Sequence, residues 1–117
     1  MIRTEEIAYR DGATLCKAFF AFDESRPGPL PTVLISHMAG GREAFVESKA
    51  EALAQLGFAA FAVDMYGENR RAQSLDEGRV LMRPFIEDRA LLRRRIVAAL
   101  TAACGLPQVA ADRIAAL

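Results

Sequence analysis

The sequence predicts a single α/β domain in which an antiparallel hairpin precedes a sheet of parallel strands with flanking helices. The first observation is the segment 31–67, where a short β-branched run, apolar residues at three- and four-residue spacing, and a second apolar run follow one another. Two strands joined through one helix form a right-handed unit, so these strands are expected to be parallel and covered on both faces. The second observation is the length of 117 residues, which suffices for one hydrophobic core and not for two.

The chain is expected to begin with an antiparallel hairpin at the edge of the sheet. Asp11 and Gly12 form a favoured two-residue turn between the apolar segments Ile2–Tyr9 and Ala13–Phe22. The second segment has aromatic residues on both of its faces, so each face is predicted to be at least partly buried. Residues 23–31 contain three of the five prolines and are predicted to form a surface loop.

The strand–helix–strand unit occupies the next part of the chain. Thr32–Ser36 is predicted to be a buried strand because its residues are apolar and mostly β-branched. Arg42–Leu56 has the periodicity of an amphipathic helix, and Gly57 stands where a left-handed cap would end it. Phe58–Val63 is predicted to be the second buried strand.

The last third of the chain is predicted to contain two helices and a strand. Ser74 begins a capping box, which predicts a short helix over residues 75–82. A proline disfavours a helix interior and suits a first turn, so a separate long helix is predicted from about Pro84 to Ala103. Residues 108–112 are predicted to form a turn, and Arg113–Leu117 is predicted to begin another buried strand.

Charge and cysteine content limit the classes of partner. The formal net charge is zero, which argues against nucleic acid as the main partner, and the arginine run 93–95 is interpreted as a solvated helix face. Cys16 and Cys104 lie in apolar surroundings without metal-binding spacing and are expected to be reduced thiols. The first residues have no apolar signal-peptide core and no apolar run would span a membrane, so the predicted location is cytoplasmic, without a membrane partner.

Four short motifs occur in the chain in a fixed order. They are Ile35-Ser36-His37, Asp64-Met65-Tyr66-Gly67, Pro84-Phe85 with Asp88-Arg89-Ala90-Leu91-Leu92, and Asp112-Arg113-Ile114-Ala115-Ala116. In this order they resemble the N-terminal half of the dienelactone hydrolase family, and the resemblance extends over residues 2–117. The resemblance implies an α/β-hydrolase-type sheet, with residues 1–117 as the N-terminal half of a single domain that is truncated before the nucleophile elbow.

The resemblance also implies which part of an active site this chain carries. The nucleophile elbow would begin just after Leu117, so none of the catalytic triad is present and the nucleophile of the complete enzyme could be Cys or Ser. The loop after the third strand corresponds to the family's oxyanion hole, with the backbone N–H groups of Met38 and Ala39 as the candidate donors. Many relatives carry a glutamate at the position of Met38.

The residues beside Met38 and Ala39 in this loop have two possible roles. The resemblance makes His37, Gly40 and Gly41 supports of the oxyanion loop and not catalytic groups. The alternative is that His37 is an ordinary hydrogen-bonded turn residue and that the two glycines only allow close packing of helix and strand.

Four further polar residues lie after the fourth strand. The family's lactone substrates carry a carboxylate that arginine binds, and Arg70 and Arg71 fall in the corresponding region. Two exposed arginines on a loop are more often simply solvated. Asp64 and Tyr66 are interpreted as a turn cap and a packed ring, in preference to an acid–base pair.

The function implied for the complete enzyme is hydrolysis of a small-molecule ester or lactone through a covalent acyl intermediate, without a metal or cofactor. A phosphoacceptor module is disfavoured because acids are not paired at the first strand end, and dinucleotide binding because there is no glycine-rich fingerprint. The alternative that stays open is a non-catalytic half-domain. Its last strand would be a bare apolar edge that pairs with the missing C-terminal half or with a swapped copy of the chain.

Overall fold

The computed structural model describes residues 1–117 as a five-stranded mixed sheet with three helices. The strands are β1 (Ile2–Asp11), β2 (Thr14–Asp23), β3 (Leu30–Ile35), β4 (Ala59–Ala62) and β5 (Val109–Ala116). The helices are α1 (Ala44–Gln55), α2 (Leu75–Glu87) and α3 (Arg89–Cys104). No helix of the structure is both long enough and apolar enough to cross a membrane.

The sheet has the strand order β1-β2-β4-β3-β5, which confirms the predicted α/β-hydrolase-type architecture. The hairpin of β1 and β2 is antiparallel and lies at one edge, and β2 joins the rest of the sheet by antiparallel pairing with β4. β3 is parallel to both β4 and β5, so the central part of the sheet is parallel as predicted. β5 forms the opposite edge.

Two separate hydrophobic clusters show that the sheet is covered on both faces. Alternate residues of β2 contribute to both of them: Phe20 belongs to the larger cluster with α3, and Ala21 to the smaller cluster with α1. In α1 the buried positions Val46, Ala50 and Ala54 are four residues apart and form one stripe. Small residues in this stripe and in β4 let the helix approach the sheet closely.

Helix α1 begins two residues later than predicted. Gly41 and Arg42 belong to the turn that precedes it, and Glu43 is the extended N-cap residue, with φ −87° and ψ 174°. Arg42 is buried and forms ion pairs, with Nη2 2.9 Å from Glu6 and Nη1 2.8 Å from Glu47. These ion pairs place Arg42 outside the helix, and periodicity alone does not report them.

The predicted helix break at Pro84 was wrong. α2 continues through Pro84 to Glu87, and the break lies at Asp88, whose backbone is extended with φ −128°. The Asp88 carboxylate accepts the backbone N–H groups of Ala90 and Leu91, which makes it the N-cap of α3. Pro84 lies in the last turn of α2, so the one helical bond that its missing N–H removes, to the Val80 carbonyl, is close to the end of the helix. The capping residue, and not the proline, therefore decides the boundary.

The predicted turn at residues 108–112 was also wrong for most of its length. β5 begins at Val109, which pairs with Leu30, whereas the next pair joins Ile114 to Thr32. Five positions along β5 thus match two along β3, and the extra residues form an irregularity in the strand. Val109 and Ala110 are buried in the strand, which the sequence interpretation did not anticipate.

Candidate functional site

The carboxyl ends of β3 and β4 lie side by side, because these strands are parallel neighbours that end at Ile35 and Ala62. The loop after β3, residues 36–43, and the loop after β4, residues 63–74, therefore meet at one edge of the sheet. In open α/β sheets, ligands bind at this edge.

His37 connects the two loops through both of its ring nitrogens. Its Nε2 accepts the backbone N–H of Met65 at 3.0 Å, and its Nδ1 lies 2.7 Å from the carbonyl oxygen of Met38. A carbonyl can only accept and a backbone N–H can only donate, so the ring is a neutral imidazole with its proton on Nδ1. With both nitrogens engaged, His37 is not available as a general base.

The hydrogen bonds at Met38 fix the direction of the next peptide N–H. The Met38 carbonyl accepts a second bond from the N–H of Gly41 at 3.1 Å. In a planar trans peptide the carbonyl and the following N–H point in opposite directions, so the Ala39 N–H is held away from His37. The N–H groups of Met38 and Ala39 donate to no acceptor within the protein.

The two peptides that follow are held by the loop after β4. The hydroxyl of Tyr66 donates to the carbonyl of Ala39 at 2.8 Å, and the N–H of Ala72 donates to the carbonyl of Gly40 at 3.0 Å. Three successive carbonyls, from residues 38 to 40, thus have fixed partners. This is the preorganisation that an anion-stabilising backbone turn requires.

Gly41 is required by its conformation and by its neighbour. Its φ is +94°, and a Cβ atom there would lie 2.6 Å from the carbonyl oxygen of Arg70. A Cβ on Gly40 would lie 2.6 Å from the carboxylate of Glu43. Neither is a helix–strand contact: the neighbour of Gly41 is the loop after β4, and the neighbour of Gly40 is the flexible end of the Glu43 side chain.

An apolar cavity of about 190 Å³ lies beside the loop after β3. Ten residues from both loops and from helices α2 and α3 line it: Ser36, His37, Met38, Ala39, Met65, Tyr66, Met82, Phe85, Leu92 and Ile96. The cavity thus adjoins the two residues, Met38 and Ala39, whose backbone N–H groups are unpaired.

Neither of the predicted carboxylate-binding arginines lines this cavity. Arg71 donates from Nη2 to the Glu47 carboxylate at 2.8 Å, the same oxygen that Arg42 contacts. Arg70 is exposed, forms no ion pair, and lines a second cavity of about 430 Å³ on the other side of Tyr66 and Phe85. The structure therefore does not bring the two guanidinium groups together.

Residues 17–117 match the family model described as the dienelactone hydrolase family. The chain belongs to the dienelactone hydrolase family. No curated protein matches it. The family assignment agrees with the sheet order and with the loops that build the site.

Solved structures of this family are similar over the whole chain. A dienelactone hydrolase-like promiscuous phosphotriesterase from metagenomic libraries is 36% identical with a TM-score of 0.93, covering 98% of this chain and 48% of that protein. The protein m3DLH is 35% identical with a TM-score of 0.94 and the same coverage. A dienelactone hydrolase from Anabaena variabilis, 19% identical with a TM-score of 0.67 over 98% and 50%, shows the shared fold. The chain thus spans about half the length of these relatives.

Asp64 and Tyr66 have the structural roles that the sequence predicted, a turn cap and a packed ring. The buried Asp64 carboxylate accepts the N–H groups of Lys17, Gly67 and Asn69 at 2.7 to 3.1 Å, so it caps the turn. The ring of Tyr66 packs 4.9 Å from His37 between centroids, and burial raises the pKa of its hydroxyl. The hydroxyl therefore stays protonated and able to donate.

Arg95 is the residue that the sequence interpretation missed. It is 6% exposed, although the arginine run was predicted to be a solvated face. Its Nε donates to Asp11 at 2.8 Å, its Nη1 donates to the carbonyl of Met65, and its guanidinium stacks over Phe85. The sequence contained one indication that Arg95 is buried: it lies four residues before the buried Ala99 and so shares its helix face.

We expect the stability of the chain to decrease as the pH falls below about 6.5, because burial holds the pKa of His37 below that ordinary value. The unfolded chain then binds the proton more readily, which favours unfolding by at most about 1.4 kcal/mol per pH unit. Urea unfolding between pH 7.5 and 5.5 measures this dependence.

His37 is the only histidine, so a His37→Gln variant is a clean control. Its amide can still donate and accept, and its urea midpoint is expected to change little over the same pH range. An equal pH dependence in both proteins would contradict the assignment to His37.

Proposed function

We propose that this chain supplies the oxyanion-loop half of a carboxylic ester or lactone hydrolase that works through a covalent acyl-enzyme. The observation that carries the proposal is the unpaired, fixed N–H of Ala39 beside an apolar cavity. The membership of the hydrolase family supports the reaction class. The nucleophile is assigned to the other half of the complete enzyme.

The chain's own contribution to such a reaction is electrostatic. When a Cys or Ser nucleophile bonds to the carbonyl carbon, the π electrons move to the oxygen, which becomes an oxyanion. The Ala39 N–H donates to that oxygen, which lowers the energy of the tetrahedral intermediate. The carbonyl then re-forms as the alcohol leaves with a proton, and water releases the acid in the second half of the cycle.

Ala39 is the better candidate of the two predicted donors. The peptide that carries its N–H is held through the Met38 carbonyl by two hydrogen bonds. The peptide that carries the Met38 N–H has no such support, because the His37 carbonyl accepts no bond. Orientation before reaction is what makes a donor effective, so the fixed N–H should contribute most.

Removal of the Ala39 N–H is expected to lower kcat by about 100-fold or more in an active enzyme. The test protein is a fusion of residues 1–117 to the second half of the metagenomic phosphotriesterase, assayed with p-nitrophenyl esters. An α-hydroxy acid in place of Ala39 replaces this one N–H by an oxygen and keeps the side chain.

The matched control places an α-hydroxy acid at Met38, one peptide earlier. A loss below about 10-fold is expected there. A fusion that folds but hydrolyses no ester would refute the proposed function, whereas equal losses at the two positions would refute the choice of donor.

A non-catalytic role as a pairing half-domain is the second candidate, and the exposed edge of the sheet favours it. Residues 111–113, 115 and 116 of β5 are exposed, and β5 has a neighbour on one side only. An apolar groove between Ile96 and Leu100 of α3 and Ile114 of β5 adjoins this edge. Unpaired edges of this kind recruit another strand. The proposed occupant is the second half of the hydrolase domain or a swapped copy of this chain.

We expect the isolated chain to self-associate because of this edge. Sedimentation at several concentrations should show species above the monomer mass of 12.8 kDa, and adding a separately produced second half should convert them to a 1:1 complex. A stable monomer that forms no complex with the second half would exclude the pairing role.

The proposal also includes a substrate contact and a cellular location. Arg70 is the candidate contact for a carboxylate on a part of the substrate outside the apolar cavity, because it lines the second cavity and has no ion-pair partner, whereas Arg71 is bound to Glu47. The cytoplasm is the proposed location, since Cys16 and Cys104 are both free thiols, as is usual in a reducing compartment.

A further inference from the structure

Apart from the backbone N–H groups of Met38 and Ala39, the cavity beside the loop after β3 has almost no unpaired polar group. Eight of its ten lining residues are hydrophobic. Both nitrogens of His37 are engaged, and the Tyr66 hydroxyl is bound to the Ala39 carbonyl. The Ser36 hydroxyl is the one polar side-chain group of the lining without a hydrogen-bond partner in the protein.

No charged side chain lines this cavity. Two arginines, Arg70 and Arg95, line the second cavity, which shares the rings of Tyr66 and Phe85 with the first. Arg95 moreover donates from Nε to Asp11 and from Nη1 to the Met65 carbonyl. A carboxylate in the first cavity would lose its hydration without gaining a cation, which is strongly unfavourable.

The lining is adaptable in shape. Three of the chain's four methionines, Met38, Met65 and Met82, contribute to it. Methionine side chains are flexible and polarisable, so they fit around aromatic rings and branched alkyl groups alike. A closed apolar cavity of about 150 Å³ takes up benzene, so a volume of about 190 Å³ has room for one aromatic ring.

We infer that this cavity is the subsite for an uncharged, apolar group of the ester, an aryl group or a short branched alkyl group. The inference rests on the proposed ester hydrolysis and names its substrate class. An ester whose ring carries a carboxylate is bound poorly at this subsite.

Methionine methyl groups provide a direct test on the 117-residue chain. The protein is labelled with ¹³C at the methionine methyls and titrated with methyl benzoate at pH 7. The methyl signals of Met38, Met65 and Met82 are expected to shift and saturate together. Met1, which is 83% exposed and outside the cavity, is expected not to shift. Shifts at Met1 alone, or equal shifts at all four, would overturn the inference.

The matched anionic probe is monomethyl terephthalate, which adds one carboxylate to the same ring. Its dissociation constant is expected to be at least about tenfold higher, because the carboxylate must be desolvated. Equal affinity for the two probes would overturn the inference. Loss of that affinity in an Arg70→Gln variant would then assign the carboxylate to Arg70.

Two substitutions on α2 locate the binding. Met82→Gln places an amide in the cavity and is expected to weaken methyl benzoate binding about tenfold. Ile86→Gln is the control, since Ile86 is on the same helix, 65% exposed and outside the cavity. Equal effects of the two variants would contradict the site.

These titrations need no turnover, so they separate this inference from the proposed function. Saturable shifts at the three cavity methionines together with an inactive fusion protein would remove the hydrolase proposal and keep the apolar binding site. An active fusion that binds both probes equally would keep the hydrolase and remove the substrate class.

Discussion

Replacing Asp64 with alanine is expected to lower the free energy of unfolding by about 4 kcal/mol. The carboxylate is fully buried and accepts three backbone N–H groups, from Lys17, Gly67 and Asn69. Hydrogen bonds to a charged acceptor contribute about 1.5–3 kcal/mol each, and buried donors left without a partner add a desolvation cost. The expected total loss of stability is smaller than the sum of these separate contributions, because the loop can relax and admit water.

The same substitution is expected to release the loop after β4. Glu68 and Asn69 have positive φ values of 50° and 53°, which non-glycine residues adopt only when their surroundings hold them. Asp64 supplies that restraint through the N–H of Asn69. Once it is lost, the contact of Ala72 with the Gly40 carbonyl should weaken as well.

Urea unfolding at pH 7 measures the change in stability. Asp64→Asn is the conservative variant, and it should lose less than Asp64→Ala because its amide oxygen can still accept. Asp76→Ala is the control, since Asp76 is 92% exposed and its pairing with Arg79 at 3.5 Å should contribute less than about 0.5 kcal/mol. A similar loss at positions 64 and 76 would contradict the capping role.

Replacing Arg95 with methionine is expected to cost about 3 kcal/mol of stability. Methionine keeps most of the apolar contact with Phe85, but it leaves the largely buried Asp11 carboxylate, 10% exposed, without its main partner. Removal of one member of a buried ion pair is costly because the remaining charge stays desolvated. The Met65 carbonyl also loses its donor, so the loop that anchors His37 is expected to loosen.

The adjacent Arg94 provides a matched control on the same helix and beside the same acid. Arg94 is 62% exposed and lies 3.7 Å from Asp11, so Arg94→Met should change stability by less than about 0.5 kcal/mol. A double-mutant cycle of Arg95→Met with Asp11→Asn should give a coupling energy of at least about 1 kcal/mol. Equal losses for the two arginines, or no coupling, would show that burial of Arg95 is not the cause.

Most of the fold could be predicted because it depends on local patterns. The hairpin turn at Asp11 and Gly12, the periodicity of α1 and the apolar runs of β3 and β4 each lie within one short continuous segment of the chain. The errors occurred where two local signals competed. At the end of α2 the sequence favoured Pro84 over the capping Asp88, and in β5 it favoured a turn over an irregular strand.

The candidate site could be predicted only in outline. The resemblance pointed to the loop that carries Met38 and Ala39, and the structure gives that loop its two unpaired N–H groups. The cavity lining could not be predicted, because Met82 and Phe85 come from a helix that is far from this loop in sequence.

The sequence alone determined the order of strands and helices, the parallel pairing of β3 with β4, and the family. These follow from hydrophobic periodicity and short motifs, which neighbouring residues carry. The tertiary structure decided the tautomer of His37, the direction of the Ala39 N–H and the burial of Arg95. The tautomer and the burial depend on contacts between residues 28 or more positions apart, His37 with Met65 and Arg95 with Asp11, and the N–H direction depends on how the folded loop turns back on the Met38 carbonyl. Only the folded sheet brings such groups within hydrogen-bonding distance.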